Sequence, residues 1–135
     1  MISRKTKYAL KALKVLARRY KKEPTFVWEI VNQENIPRHY LEAILVQLKH
    51  SGLIESRAGK GGGYSLLLPA DQISFLIVLE GIEKPLTSIS CVASSFTELC
   101  ADCQHTEICT LQKALKTWQA ASHSVLSKTT IQDLL

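Results

Sequence analysis

The stretch IPRHYLEAILVQLKHSGLIESRAGKGGGYSL, residues 36 to 66, decides how this chain folds. Pro37 opens a helix, where its missing N–H costs nothing. Leu41, Ile44, Leu45 and Leu48 then recur at i, i+3, i+4 and i+7 as one apolar stripe, and Gly52 stands just past the end as a C-terminal cap. Residues 53–57 and 64–68 read as two strands around Ala58-Gly59-Lys60-Gly61-Gly62-Gly63, a hairpin with a basic, glycine-rich tip. That tip lacks the G-x-x-x-x-G-K-[ST] order and is not followed at once by a helix, so it is not read as a nucleotide-cradling loop. Glycines let a backbone approach a DNA phosphate closely, and Arg57 and Lys60 supply charge beside them.

Upstream, Ala9, Ala12, Leu13, Leu16, Ala17 and Tyr20 recur at three- and four-residue steps, predicting an amphipathic helix over residues 3–20 with its lysines and arginines outward. Thr25 reads as the N-cap of a short second helix whose buried stripe is Val27, Ile30 and Val31, and Asn35 ends it. Two short helices after a longer one match a helix-turn-helix, and the hairpin makes it winged. Arg38, His39 and Glu42 occupy outward positions near the start of the third helix.

Downstream, Pro69 closes the wing and Ser74 caps a very apolar helix over residues 75–83, expected to be sandwiched. Leu111, Ala114, Leu115, Trp118, Ala121 and Val125 predict a long helix over residues 110–127 whose stripe a second copy of the chain would cover. The expected fold class is mainly α with a small β wing: a winged helix-turn-helix plus a long C-terminal dimerisation helix. The expected division is a DNA-binding unit at residues 1–83, a cysteine-rich segment at 84–109, and the dimerisation helix and tail at 110–135. Trp28 and Trp118 read as packing residues of amphipathic segments.

At 135 residues and 46% hydrophobic side chains, one core is expected without disulfide staples. The longest apolar run, Phe75 to Leu79, is too short to span a bilayer, and the basic N-terminus has no secretory pattern. A cytoplasmic protein with no membrane partner is the expectation. Residues 1–70 carry 13 Lys/Arg against 5 Asp/Glu, a net +8, whereas residues 71–135 carry 4 against 7, a net −3. The basic half is the half that meets a polyanion.

Cys91, Cys100, Cys103 and Cys109 crowd into nineteen positions. In a reducing compartment, thiolates so spaced read as a soft-metal site or a redox switch. His105 lies among them, while His39, His50 and His123 are scattered over other elements. No acid–base constellation for catalysis and no small-molecule substrate site emerges.

With these elements in place, the chain resembles the bacterial winged-helix regulators that include IscR, NsrR, RirA and CymR. The resemblance rests on KYALKAL at Lys7 to Leu13, the stretch from Ile36 to Ile54, SRAGKGGGYSL at Ser56 to Leu66, and the C-x-x-C-x-x-x-x-x-C run leading into LQKALKTW. It implies a homodimer on a palindromic or semi-palindromic double-stranded DNA operator. Arg38, His39 and Glu42 are then implied as base readers in the major groove, and Arg57, Lys60 and Tyr64 as wing contacts. It further implies a [2Fe–2S] or [4Fe–4S] cluster on Cys91, Cys103 and Cys109, with Cys100 or His105 as the remaining ligand. The chain departs from the pattern at four places: Ala58 stands where some relatives carry an arginine before the first wing glycine, Gln112 where IscR-like proteins ligate with histidine, Lys7 where some nitric-oxide sensors carry an acid, and the cysteine loop is enlarged, with a longer gap from Cys91 to Cys103. A second reading keeps DNA binding and makes the cysteines a thiol–disulfide switch or a zinc site. A third, an electron carrier or metalloenzyme, finds no catalytic constellation to support it.

Overall fold

Ala9, Ala12, Leu13 and Leu16 line one face of the first helix, and all four are buried at the centre of a single apolar cluster. The structure, a computed structural model, describes residues 2–83, 92 and 109–135. Described are α1 (Arg4–Ala17), α2 (Val27–Glu34), α3 (Arg38–His50), β1 (Ile54–Arg57), β2 (Gly63–Leu66), α4 (Phe75–Ile82) and α5 (Thr110–Lys128), with 3-10 turns at Ala70–Gln72 and Ile131–Leu134. Among the described residues, no helix is long and apolar enough to cross a membrane.

The Ser3 hydroxyl accepts the Thr6 N–H to start α1, which ends at Ala17, three residues earlier than its periodicity predicts. Leu41, Ile44, Leu45 and Leu48 of α3 are all fully buried, each worth about 1.5–3 kcal/mol relative to exposure. Gly52 takes φ +72, and the Leu53 N–H returns to the Leu48 carbonyl at 3.1 Å, the cap expected from its position. Asn35 is left-handed at φ 51 and ends α2 likewise.

The expected cap at Thr25 is corrected. Phe26 holds the N-cap position of α2, and Thr25 is buried and paired with the wing: its N–H donates to the Tyr64 carbonyl at 2.9 Å, and its carbonyl accepts the Tyr64 N–H at 2.8 Å. A long-range backbone pairing outcompetes the local side-chain cap. β1 and β2 are antiparallel, with Ile54 opposite Leu66 and Arg57 opposite Gly63.

The Ser74 hydroxyl accepts the Ile77 N–H and caps α4, as its position predicts. α4 packs against α1, α3 and α5, so its nearly continuous apolar surface is covered on several sides. After α5 the chain returns to the same core: Ser74 and Thr130 form an isolated bridge, the Phe75 N–H donates to the Thr129 carbonyl at 2.8 Å, and Ile131 is fully buried.

Candidate nucleic-acid interface

The first turns of α3 present Arg38, His39 and Glu42 to solvent. Arg38 Nε donates to Glu42 Oε1 at 2.9 Å with both side chains more than half exposed. Such a pair adds little to stability, so both groups can be redirected to base edges at small cost. Tyr40 beside them is 50% exposed although aromatic. Its ring lies 4.3 Å from the His39 ring and 6.3 Å from that of Tyr8 on α1. Sequence reading passed over Tyr40, although it lies off the stripe of Leu41, Ile44, Leu45 and Leu48 and was therefore bound to face outward.

The wing is built on its own backbone. The Gly62 N–H donates to the Gly59 carbonyl at 3.0 Å across the tip. Gly63 has φ +125, and a Cβ there would lie 2.6 Å from the Thr25 carbonyl oxygen, so only glycine permits the close approach. Arg57 and Lys60 are exposed, with the Arg57 guanidinium 3.9 Å from Glu55. Tyr64 sits at the wing root, partly buried against the core. Lys49 Nζ, at the end of α3, donates to Ser56 Oγ at 2.6 Å and ties the helix to β1.

Part of the basic half is consumed internally. Lys11 and Lys14 reach Glu34 at 3.4 and 2.5 Å, and Arg19 reaches Glu29 at 2.9 Å, so these cations clamp α2 instead of forming a solvated face. Burial pulls the Glu34 carboxyl upward, and Lys14 and Lys11 outweigh it, holding the group below its ordinary value.

Cys91, Cys100, Cys103 and His105 lie outside the described residues. Cys109 is described: an exposed free thiol at the N-cap of α5, its sulfur accepting the Gln112 N–H at 3.4 Å. Among the described residues, no group of three or more His, Cys, Asp or Glu is placed to hold a metal ion. No residue of α5 is fully buried, and Leu111, Trp118 and Val125 are exposed, with Ala114 and Ala121 exposed between them. Leu115, expected on that stripe, is partly buried on another side of the helix.

One packing assignment is corrected: Trp28 is 58% exposed, whereas Trp118, 54% exposed in the single chain, lies on the α5 stripe that a second copy is expected to cover. In α2 the inward side belongs to Ile30 with Val27 and Val31, which turns Trp28 away from the core. Its ring instead stacks on Phe26, 6.5 Å between centroids and 15° between planes.

A helix-turn-helix whose hairpin wing is anchored at its root defines a winged-helix, DNA-binding transcriptional regulator. The chain belongs to the Rrf2 family, described as iron-dependent transcriptional regulators, whose profile matches residues 2–135. An Rrf2-like HTH-type transcriptional regulator of Rhodobacter capsulatus is 32% identical over 138 residues, covering 100% of this chain and 92% of that protein. The structure of CymR, the global cysteine regulator of B. subtilis, superposes with TM-score 0.78 at 30% identity, covering 99% of this chain and 95% of that one. The fold is also that of T. potens IscR, at TM-score 0.77 and 20% identity over 99% of this chain and 85% of that one. These relatives are regulators of transcription, not enzymes.

Proposed function

We propose that this chain works in the cytoplasm as a homodimer on a double-stranded DNA operator. An iron–sulfur cluster held by Cys91, Cys103 and Cys109, with Cys100 or His105 completing the ligand set, modulates that binding. Arg38, His39 and Glu42 read the major groove: Arg38 donates to guanine acceptors and Glu42 accepts from a cytosine amino group. Arg57, Lys60 and Tyr64 contact the backbone and minor groove through the wing.

The observation that carries the reading is the exposed Cys109 thiol, two residues before Leu111 at the head of α5. Leu111, Ala114, Trp118, Ala121 and Val125 repeat at three- and four-residue steps, the pattern of a helix that pairs with a second copy. A sulfur ligand at the head of that helix links ligand occupancy to the spacing of two reading heads, which must meet half-sites about 34–36 Å apart. The donor set fits the group: thiolates are the ligands of iron–sulfur clusters, and an exposed thiol holds its ligand where oxidants reach it. When bound, the cluster supplies an oxidisable, labile centre. Anaerobic purification followed by visible absorption and iron analysis tests this, with a coloured, iron-bearing protein as the expected result.

A second reading makes the cysteines a thiol–disulfide switch or a zinc site. The likeness to a global cysteine regulator favours it. It predicts a colourless protein whose operator affinity responds to thiol oxidation or zinc removal.

A further inference from the structure

Phe26 and Trp28 form a stacked aromatic pair on the outer face of α2 that the fold does not use. An N-cap is the position where a side-chain oxygen stabilises a helix, and phenylalanine has none. The Phe26 N–H is satisfied by Glu29 Oε2 at 2.8 Å, not by a cap of its own. Nor does burial account for the pair, because Phe26 is 39% and Trp28 58% exposed.

The surroundings are those of the wing. Thr25, next to Phe26, is paired on both backbone groups with Tyr64 of β2, and a Cβ on Gly63 would lie 3.2 Å from the Phe26 nitrogen. The aromatic pair therefore begins where the wing root ends. On the other side of the same junction, Pro24 lines a shallow cleft of about 440 Å³ together with Lys21, Lys22 and Arg57, with Glu55 as its acidic member. The cationic cleft and the aromatic pair flank the same Pro24–Thr25–Phe26 junction beside the wing root, and cations next to an apolar face suit a polyanion that also offers apolar surface. Duplex DNA is such a partner, with deoxyribose faces between its phosphates.

We propose that Phe26 and Trp28 are an additional operator contact, packing against sugars of the backbone beside the wing while Lys21, Lys22 and Arg57 neutralise the adjoining phosphates. The inference rests on the operator-binding reading above. The pair anchors the wing through apolar contact, so it adds affinity that salt does not screen, in contrast to the lysine contacts.

The test uses the full-length protein and a duplex that the wild type itself selects from a random double-stranded library. The chain contains two tryptophans, so W118F leaves Trp28 as its sole indole. Adding the selected duplex is expected to change Trp28 emission and to reduce its quenching by acrylamide. Trp28→Ala is expected to weaken binding about five- to tenfold with an unchanged melting temperature and an unchanged salt slope. Unaltered acrylamide quenching in the complex, together with wild-type affinity for Trp28→Ala, overturns this inference alone and turns the face toward a protein partner. If wild-type protein selects no duplex, the operator-binding reading falls with it. Should W118F fail to fold, the affinity and salt slope of Trp28→Ala and Phe26→Ser decide the matter.

Discussion

The backbone N–H of Ile131 donates to the Ile73 carbonyl at 2.9 Å, and both side chains are fully buried. This pairing straps the far end of α5 to the segment that opens α4, so the long helix is fixed to the winged core at its C-terminal end. Its other end begins at Cys109. Truncating the strap residue removes a buried aliphatic side chain from the core, and Ile131→Ala is expected to cost about 2–5 kcal/mol in urea denaturation. A loss under about 0.5 kcal/mol would show that the tail is not part of the cooperative core.

The exposed stripe of α5 makes a separate prediction. Trp118→Asp places a charge in the middle of Leu111, Ala114, Ala121 and Val125, and is expected to convert a dimer to a monomer in sedimentation equilibrium with unchanged helicity. A variant that sediments as the wild type would remove α5 from the pairing surface.

Acid stability follows from Glu83 and Glu34. Hydrogen bonds from Ser3 first and Thr6 next hold the Glu83 carboxyl below its ordinary value, which joins the end of α4 to the start of α1. Both groups have depressed pKa values in the folded state, so the unfolded chain takes up protons first as pH falls. The stability they contribute is fully present above the ordinary carboxylate range and is lost as pH drops below it through the lower folded-state values. Glu83→Gln should flatten the acid limb of a melting-temperature profile recorded between about pH 3 and 7. An acid limb as steep as that of the wild type contradicts this.

The two DNA-reading elements should respond differently. Glu42→Ala is expected to relax preference at one base pair, costing about 1–3 kcal/mol of discrimination. Lys60→Ala should weaken binding to all sequences alike and lower the salt slope by about one. Binding-site selection with each variant, at two salt concentrations, separates the outcomes.

The elements whose order is set locally were legible in the sequence: the Leu41 to Leu48 stripe, the left-handed stops at Asn35 and Gly52, and the Ser74 cap all lie where periodicity and cap chemistry put them. What local pattern does not encode is pairing at a distance. Thr25 has the chemistry of a cap, yet Tyr64, thirty-nine positions on, claims its backbone. Lys11 and Lys14 look like a solvated face until Glu34 of α2 is brought beside them. Ile131 follows a long exposed helix and reads as tail, although the run Thr129-Thr130-Ile131 is β-branched throughout and fits the bridge it makes with Ser74. The outward placement of Arg38, His39 and Glu42 was legible because they lie off the apolar stripe of α3, whereas Tyr40 and Phe26 were passed over and Trp28 was assigned to packing from the amphipathic pattern of its segment.

The central claim is that the state of the cysteine ligands governs operator binding. Its most direct test is the affinity of anaerobically purified protein and of the same preparation stripped by chelator, measured on one selected duplex with iron content determined in parallel. The account predicts iron in the purified protein and affinities that differ by at least about tenfold, a coupling of about 1.4 kcal/mol. An iron-free, colourless preparation that binds the duplex normally, or equal affinities with and without iron, would contradict it.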